Sequence, residues 1–158
     1  MGFFNKIFGK QETTEPKIKI NEYFGFIDYG DGTIFDPTLN LMWQKDDDGI
    51  QRTYSESLDC CNKLTIGGYS DWHLPQKEEL MHLAKIKFEN LKQIFPNIQN
   101  ERYWASTTID EVKWAGDAQD KIVFTVDFDP ASSNYGQEVT YFKTYSYFVK
   151  AVRNCQKW

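Results

Sequence analysis

The chain has 158 residues, a length that favours one globular domain with its own core over two domains and a linker. Mean hydropathy is −0.61 although 41% of residues are apolar, and no apolar run approaches the roughly 20 residues of a membrane-spanning helix. A net charge of −5 and a pI near 5.0 argue against the broad basic face of a generic nucleic-acid binder, so no nucleic-acid partner is expected.

Phe3, Phe4, Ile7 and Phe8 fall on one side of a helix at 100° per residue, with Asn5, Lys6 and Lys10 elsewhere. A segment this short is marginal as a free helix and must dock. Its own domain, a partner groove or filament neighbour, and a membrane surface are the three choices, and docking on a protein partner is expected. Residues 9–19 are polar and read as a linker, which divides the chain into a leader at 1–19 and a domain at 20–158.

Short strands and tight turns are expected from Tyr23 to Gln44. Gly30-Asp31-Gly32 supplies the residues a positive-φ turn requires, Thr33-Ile34-Phe35 is extended, and Leu41-Met42-Trp43 follows a second turn at Asp36-Pro37. Asp46-Asp47-Asp48-Gly49 lacks the Glu of an EF-hand loop twelve positions on, where Ser57 stands, and reads as an exposed acidic turn. Thr53-Tyr54-Ser55-Glu56 matches a capping box and opens a helix to about Thr65, with Leu58, Cys61 and Leu64 on one side and Gly67-Gly68 at its end. Pro75 opens a second helix that buries Leu80, Leu83 and Ala84, and Leu91, Ile94 and Phe95 suggest a further turn closed by Pro96. Strands return at 102–107, 112–115, 122–128 and 147–153. Strands, two main helices and strands again give an α+β class with an antiparallel sheet.

Cys60, Cys61 and Cys155 cannot all pair within one chain, and no secretory pattern precedes the domain, so a cytoplasmic location with reduced thiols is expected. Cys61 reads as a small core residue because no basic neighbour in sequence would generate its thiolate. Asp71-Trp72-His73-Leu74-Pro75 holds an acid and a base but no nucleophile elbow. It reads as architecture, with Trp72 in the core and Asp71 accepting backbone amides. His73 and His82 are the only histidines, and neither zinc nor any cofactor is expected.

Several motifs in register resemble the Lcl C-terminal domain family. They are Gly30-Asp31-Gly32-Thr33-Ile34-Phe35-Asp36, Leu41-Met42-Trp43-Gln44, Cys61-Asn62-Lys63-Leu64 and Gly67-Gly68-Tyr69-Ser70-Asp71-Trp72-His73-Leu74-Pro75. Glu79-Leu80, Tyr103-Trp104-Ala105-Ser106-Thr107 and Lys150-Ala151-Val152-Arg153 continue the series in order. The family takes its name from the terminal domain of a collagen-like bacterial adhesin. The resemblance implies a compact C-type-lectin-like module that binds glycans or other surfaces. The sequence departs from the family pattern at His73, where Arg is usual, and at Ala151, where the usual Cys would bond Cys61. The leader stands where an exported member carries a signal or collagen-like region.

Aromatics make up 16% of the chain. Between Ser106 and Tyr147, Trp114, Asn134, Tyr135, Tyr141 and Tyr145 stand among Asp, Ser, Thr and Gln, the composition of a recognition surface. The functional expectation is a non-enzymatic binding module that recognises a protein or glycan through this face, with Phe3, Phe4, Ile7 and Phe8 docking on a partner. The alternatives are a structural or assembly subunit of a bacterial or phage complex, and an enzyme of undetermined class.

Overall fold

The computed structural model describes residues 21–108 and 122–155. Among these residues eight strands and three helices follow one another as β1 (Asn21–Tyr23), β2 (Phe26–Asp28), β3 (Thr33–Asp36), β4 (Leu41–Gln44), α1 (Tyr54–Lys63), α2 (Lys77–Leu83), α3 (Phe88–Ile94), β5 (Arg102–Trp104), β6 (Ile122–Asp127), β7 (Glu138–Phe142) and β8 (Val152–Asn154). They form one sheet of order β1-β2-β3-β4-β8 and another of order β5-β6-β7, both antiparallel. The class is α+β, as the element order predicts, with two sheets and a third helix.

The apolar run Leu41-Met42-Trp43 explains how the layers are arranged. All three residues are buried, so β4 is covered on both faces. Leu41 and Trp43 join a cluster with Leu80, Leu83, Leu91, Ile94, Phe95 and Phe128, which is where α2 and α3 pack. Met42 faces a second cluster with Tyr54, Cys61, Trp72, Trp104 and Val149. β5 divides in the same way, Tyr103 entering the first cluster and Trp104 the second.

The last described segment ties the sheets together. β8 pairs with β4, His73 bridges Val152, Arg52 bridges Tyr147, and Tyr103 bridges Phe148 in parallel. The strand expected over 147–153 is therefore a series of isolated bridges ending in a short strand.

Local chemistry sets the boundaries. Thr53 caps α1 with the full box: its N–H donates to the Glu56 carboxylate at 2.8 Å, and its hydroxyl accepts the Glu56 N–H. The helix buries Tyr54, Ser57 and Cys61, whereas Leu58 is 38% exposed, contrary to the expected stripe. α1 ends at Lys63, and Gly67 and Gly68 have a separate task. With φ of 61° and 82° they form a tight turn that pairs Ile66 with Tyr69. α2 begins two residues after Pro75, where the Glu79 carboxylate accepts the Gln76 N–H at 2.8 Å.

Candidate functional site

The most conspicuous surface forms where β7 ends. The Tyr145 N–H donates to the Phe142 carbonyl at 3.0 Å, turning the chain back so that Tyr147 exchanges two backbone hydrogen bonds with Arg52. Rings accumulate around that turn. Trp104 is fully buried and donates its indole N–H to the Arg52 carbonyl at 2.7 Å. Tyr54 and Tyr147 pack edge-on against it at 5.8 and 5.0 Å, and Tyr141 packs against Tyr147 at 5.0 Å.

Tyr145 then stacks nearly parallel to Tyr147 at 6.4 Å and to Phe142 at 6.3 Å. The series runs from a buried indole to two exposed rings, Phe142 at 48% and Tyr145 at 52% exposure. Two cations border it: the Arg102 guanidinium lies 5.1 Å from the Tyr141 ring centroid, and the Lys143 ammonium 5.4 Å from that of Tyr54. Burial, reinforced by Tyr141, pushes the Tyr147 phenol up to about 12, so it remains a neutral hydroxyl. Among the described residues β7 pairs only with β6, so no described strand covers its outer edge.

The five residues predicted to bind ligand do not all meet. Tyr141 and Tyr145 are in contact, 5.8 Å between centroids. Asn134 is exposed in the loop before β7. Tyr135 is half-buried, donates its hydroxyl to the Ile86 carbonyl at 2.9 Å and packs on Phe128, on the side of the first core cluster. Trp114 lies outside the described residues, as do Phe3, Phe4, Ile7 and Phe8 and the strand expected over 112–115. Phe142, Trp104, Tyr54 and Arg102 also belong to the ring surface, beyond the residues that composition marks as ligand-binding. The density of rings from Tyr141 to Phe148 carries a signal for Phe142, whereas Tyr54 and Trp104 are distant in sequence.

The acidic run at 46–48 is not the exposed turn its composition suggests. Its three carboxylates diverge: Asp46 accepts from Asn97 at 3.1 Å, Asp48 pairs with Arg52 at 2.6 Å, and Asp47 is buried against Lys150 at 2.7 Å. The Tyr103 hydroxyl donates to the other oxygen of Asp47. The Lys150 ammonium also sits 4.1 Å from the Phe95 ring centroid and donates to the Lys45 carbonyl at 3.3 Å. Burial raises the Asp47 carboxyl above the usual carboxylate range and lowers the Lys150 ammonium, so both groups are drawn toward their neutral forms.

Asp71 is expected to accept backbone amides at its turn; its largest partner is instead a distant side chain, with a backbone hydrogen bond at Asp71 itself adding to it. It holds the Arg153 guanidinium at 2.6 and 3.0 Å, and that guanidinium lies 3.7 Å from the Tyr69 ring centroid. His73 pairs through its backbone with Val152 while its side chain is exposed. Cys61 is buried, and burial followed by the neighbouring Cys60 pushes its thiol up to about 12, well away from a nucleophilic thiolate. An open cleft of about 420 Å³ lies along α1, lined by Arg52, Glu56, Asp59, Cys60, Lys63 and Leu64. No group of three or more His, Cys, Asp or Glu side chains suited to a metal occurs among the described residues.

The described residues thus form an α+β scaffold with two buried clusters and one partly exposed ring surface. The chain belongs to the Lcl C-terminal domain family, whose model matches residues 32–153. No curated protein matches it. Among the described residues no helix is long and apolar enough to cross a membrane.

Proposed function

We propose that this domain is a non-enzymatic binding module whose ligand, a protein or a glycan, is gripped by Phe142 and Tyr145. The single observation behind this reading is the ring series that rises from buried Trp104 to two half-exposed rings. Packing against one another has already cost these side chains their rotamer freedom, so contact with a ligand removes little more. The outer edge of β7 beside them favours a polypeptide over a sugar, because its backbone groups offer strand addition. Family membership, short antiparallel strands and a ligand face borne on a turn together support the C-type-lectin-like fold. Buried Cys61, beside a Cys60 with which it is poorly placed to bridge, supports a reducing compartment. The amphipathic pattern at Phe3, Phe4, Ile7 and Phe8 supports docking of the leader on a protein partner.

The test is capture by the full-length chain on a random-peptide library and on a glycan array, repeated with Phe142→Ala, Tyr145→Ala and, as a control away from the surface, His73→Ala. Each ring variant is expected to lose about tenfold or more in affinity while His73→Ala binds as the wild type does. Both ring variants should melt with the wild type, since neither ring is buried. Ring variants that bind undiminished would overturn the reading, as would arrays that stay blank.

A further inference from the structure

Lys150 and Asp47 are the most deeply buried oppositely charged pair described, with side chains 1% and 2% exposed. Asp47 follows β4 by three residues and Lys150 precedes β8 by two, and those strands pair antiparallel. The site has the parts of a condensation reaction. An amine nitrogen lies 2.7 Å from one carboxyl oxygen, Oδ1. A phenol donates to the other, Oδ2, and is itself oriented by the Gln99 N–H at 2.7 Å. The Phe95 ring covers the nitrogen.

We propose that Lys150 and Asp47 condense to a side-chain amide, an intramolecular cross-link between the segments flanking β4 and β8. Proton transfer from the Lys150 ammonium to Oδ1 first gives a neutral amine and a neutral carboxylic acid, the forms that burial favours. The Nζ lone pair then attacks Cγ, which is polarised by the Tyr103 hydrogen bond to Oδ2. The Cγ–Oδ1 bond breaks, and Oδ1 departs as water carrying the first proton and a second one from Nζ. Oδ2 becomes the amide oxygen, still accepting from Tyr103. One ammonium and one carboxylate thus yield one amide and one water, and no other reactant is needed.

Neighbouring groups held in one geometry react with effective concentrations of about 10⁵–10⁸ M, and the near-complete burial of both side chains, with the Phe95 ring over the nitrogen, keeps out the bulk water that would reverse the step. Condensation also removes two charges from a site where their desolvation is costly.

The experiment is an intact mass measurement on the full-length chain, unfolded and reduced, after allowance for removal of the first methionine. The wild type is expected to be lighter than its sequence by one water, and a protease digest to contain a branched peptide joining the Asp47 and Lys150 segments. Lys150→Arg keeps the cation and should have the mass of its own sequence, with circular dichroism confirming that it is folded. Tyr103→Phe keeps both reacting groups and should accumulate the lighter species about tenfold or more slowly. A wild type at its full sequence mass after prolonged incubation overturns the proposal, and so does a water loss that persists in Lys150→Arg. Equal rates in Tyr103→Phe and wild type overturn the role given to the phenol.

Discussion

Asp71 and Asp48 show how single carboxylates hold this molecule together. Each faces an arginine, Asp71 with Arg153 and Asp48 with Arg52, and in each case the hydrogen bond from that guanidinium holds the carboxyl below its usual range. A depressed folded value contributes stability above the unfolded carboxylate pKa, and that contribution is lost as pH falls through the folded value. Asp71→Asn is therefore expected to melt lower than wild type at neutral pH and to fall less on acidification from about pH 6 to about pH 2. Thermal melts across that range check it, and parallel curves would count against it. Gly32 is the other decisive residue. Its φ is +87°, and a Cβ placed there would come within 2.9 Å of the Ile66 side chain. Gly32→Ala combines backbone strain with that clash and should cost about 1–3 kcal/mol in urea unfolding. A cost near zero would mean that the β2–β3 turn relaxes without penalty.

Among the elements, α1 depends most on a local signal. Thr53→Ala removes the hydroxyl that accepts the Glu56 N–H and should destabilise the domain by about 1 kcal/mol, readable by chemical denaturation. Thr53→Ser, which keeps the oxygen, should recover most of that loss. The box was legible in the sequence because its parts lie within four residues. What lay beyond that reach was not. The three-residue spacing of Leu58, Cys61 and Leu64 suggested a buried stripe, but the segment around Trp72 and the rings Tyr54 and Trp104 decide which face of α1 is covered. β7 went unrecognised because Glu138-Val139-Thr140-Tyr141-Phe142 has no clean polar–apolar alternation and follows a turn-rich loop. Its strand character comes from pairing with β6. Gly67-Gly68 reads equally as a helix end or a tight turn, because glycine serves both.

For the whole molecule, class and family order were legible from short motifs, whereas the pairs that close the structure were not. Asp47 and Lys150 are 103 residues apart, and Arg153 and Asp71 are 82 apart. No periodicity reports such distances. The ring surface was half legible: Tyr141 and Tyr145 were found from composition, while buried Trp104 and Tyr54, which fix their positions, come from other elements. The domain boundary at residue 20 makes a prediction at this scale. A chain beginning at Ile20 should give the circular dichroism and melting temperature of the full-length protein, because every described residue of both core clusters comes after it. A lower melt in the shortened chain would show that the leader contributes to the core.

The position of β8 beside β4 bears on how the polypeptide is made. Until β8 has emerged from the ribosome, β4 has a neighbour on one side only, and the backbone groups that will meet Val152, Arg153 and Asn154 stay open. Translation that halts before β8 therefore leaves a hydrophobic strand with an unsatisfied border, a species prone to self-association and a natural substrate for chaperones and proteases.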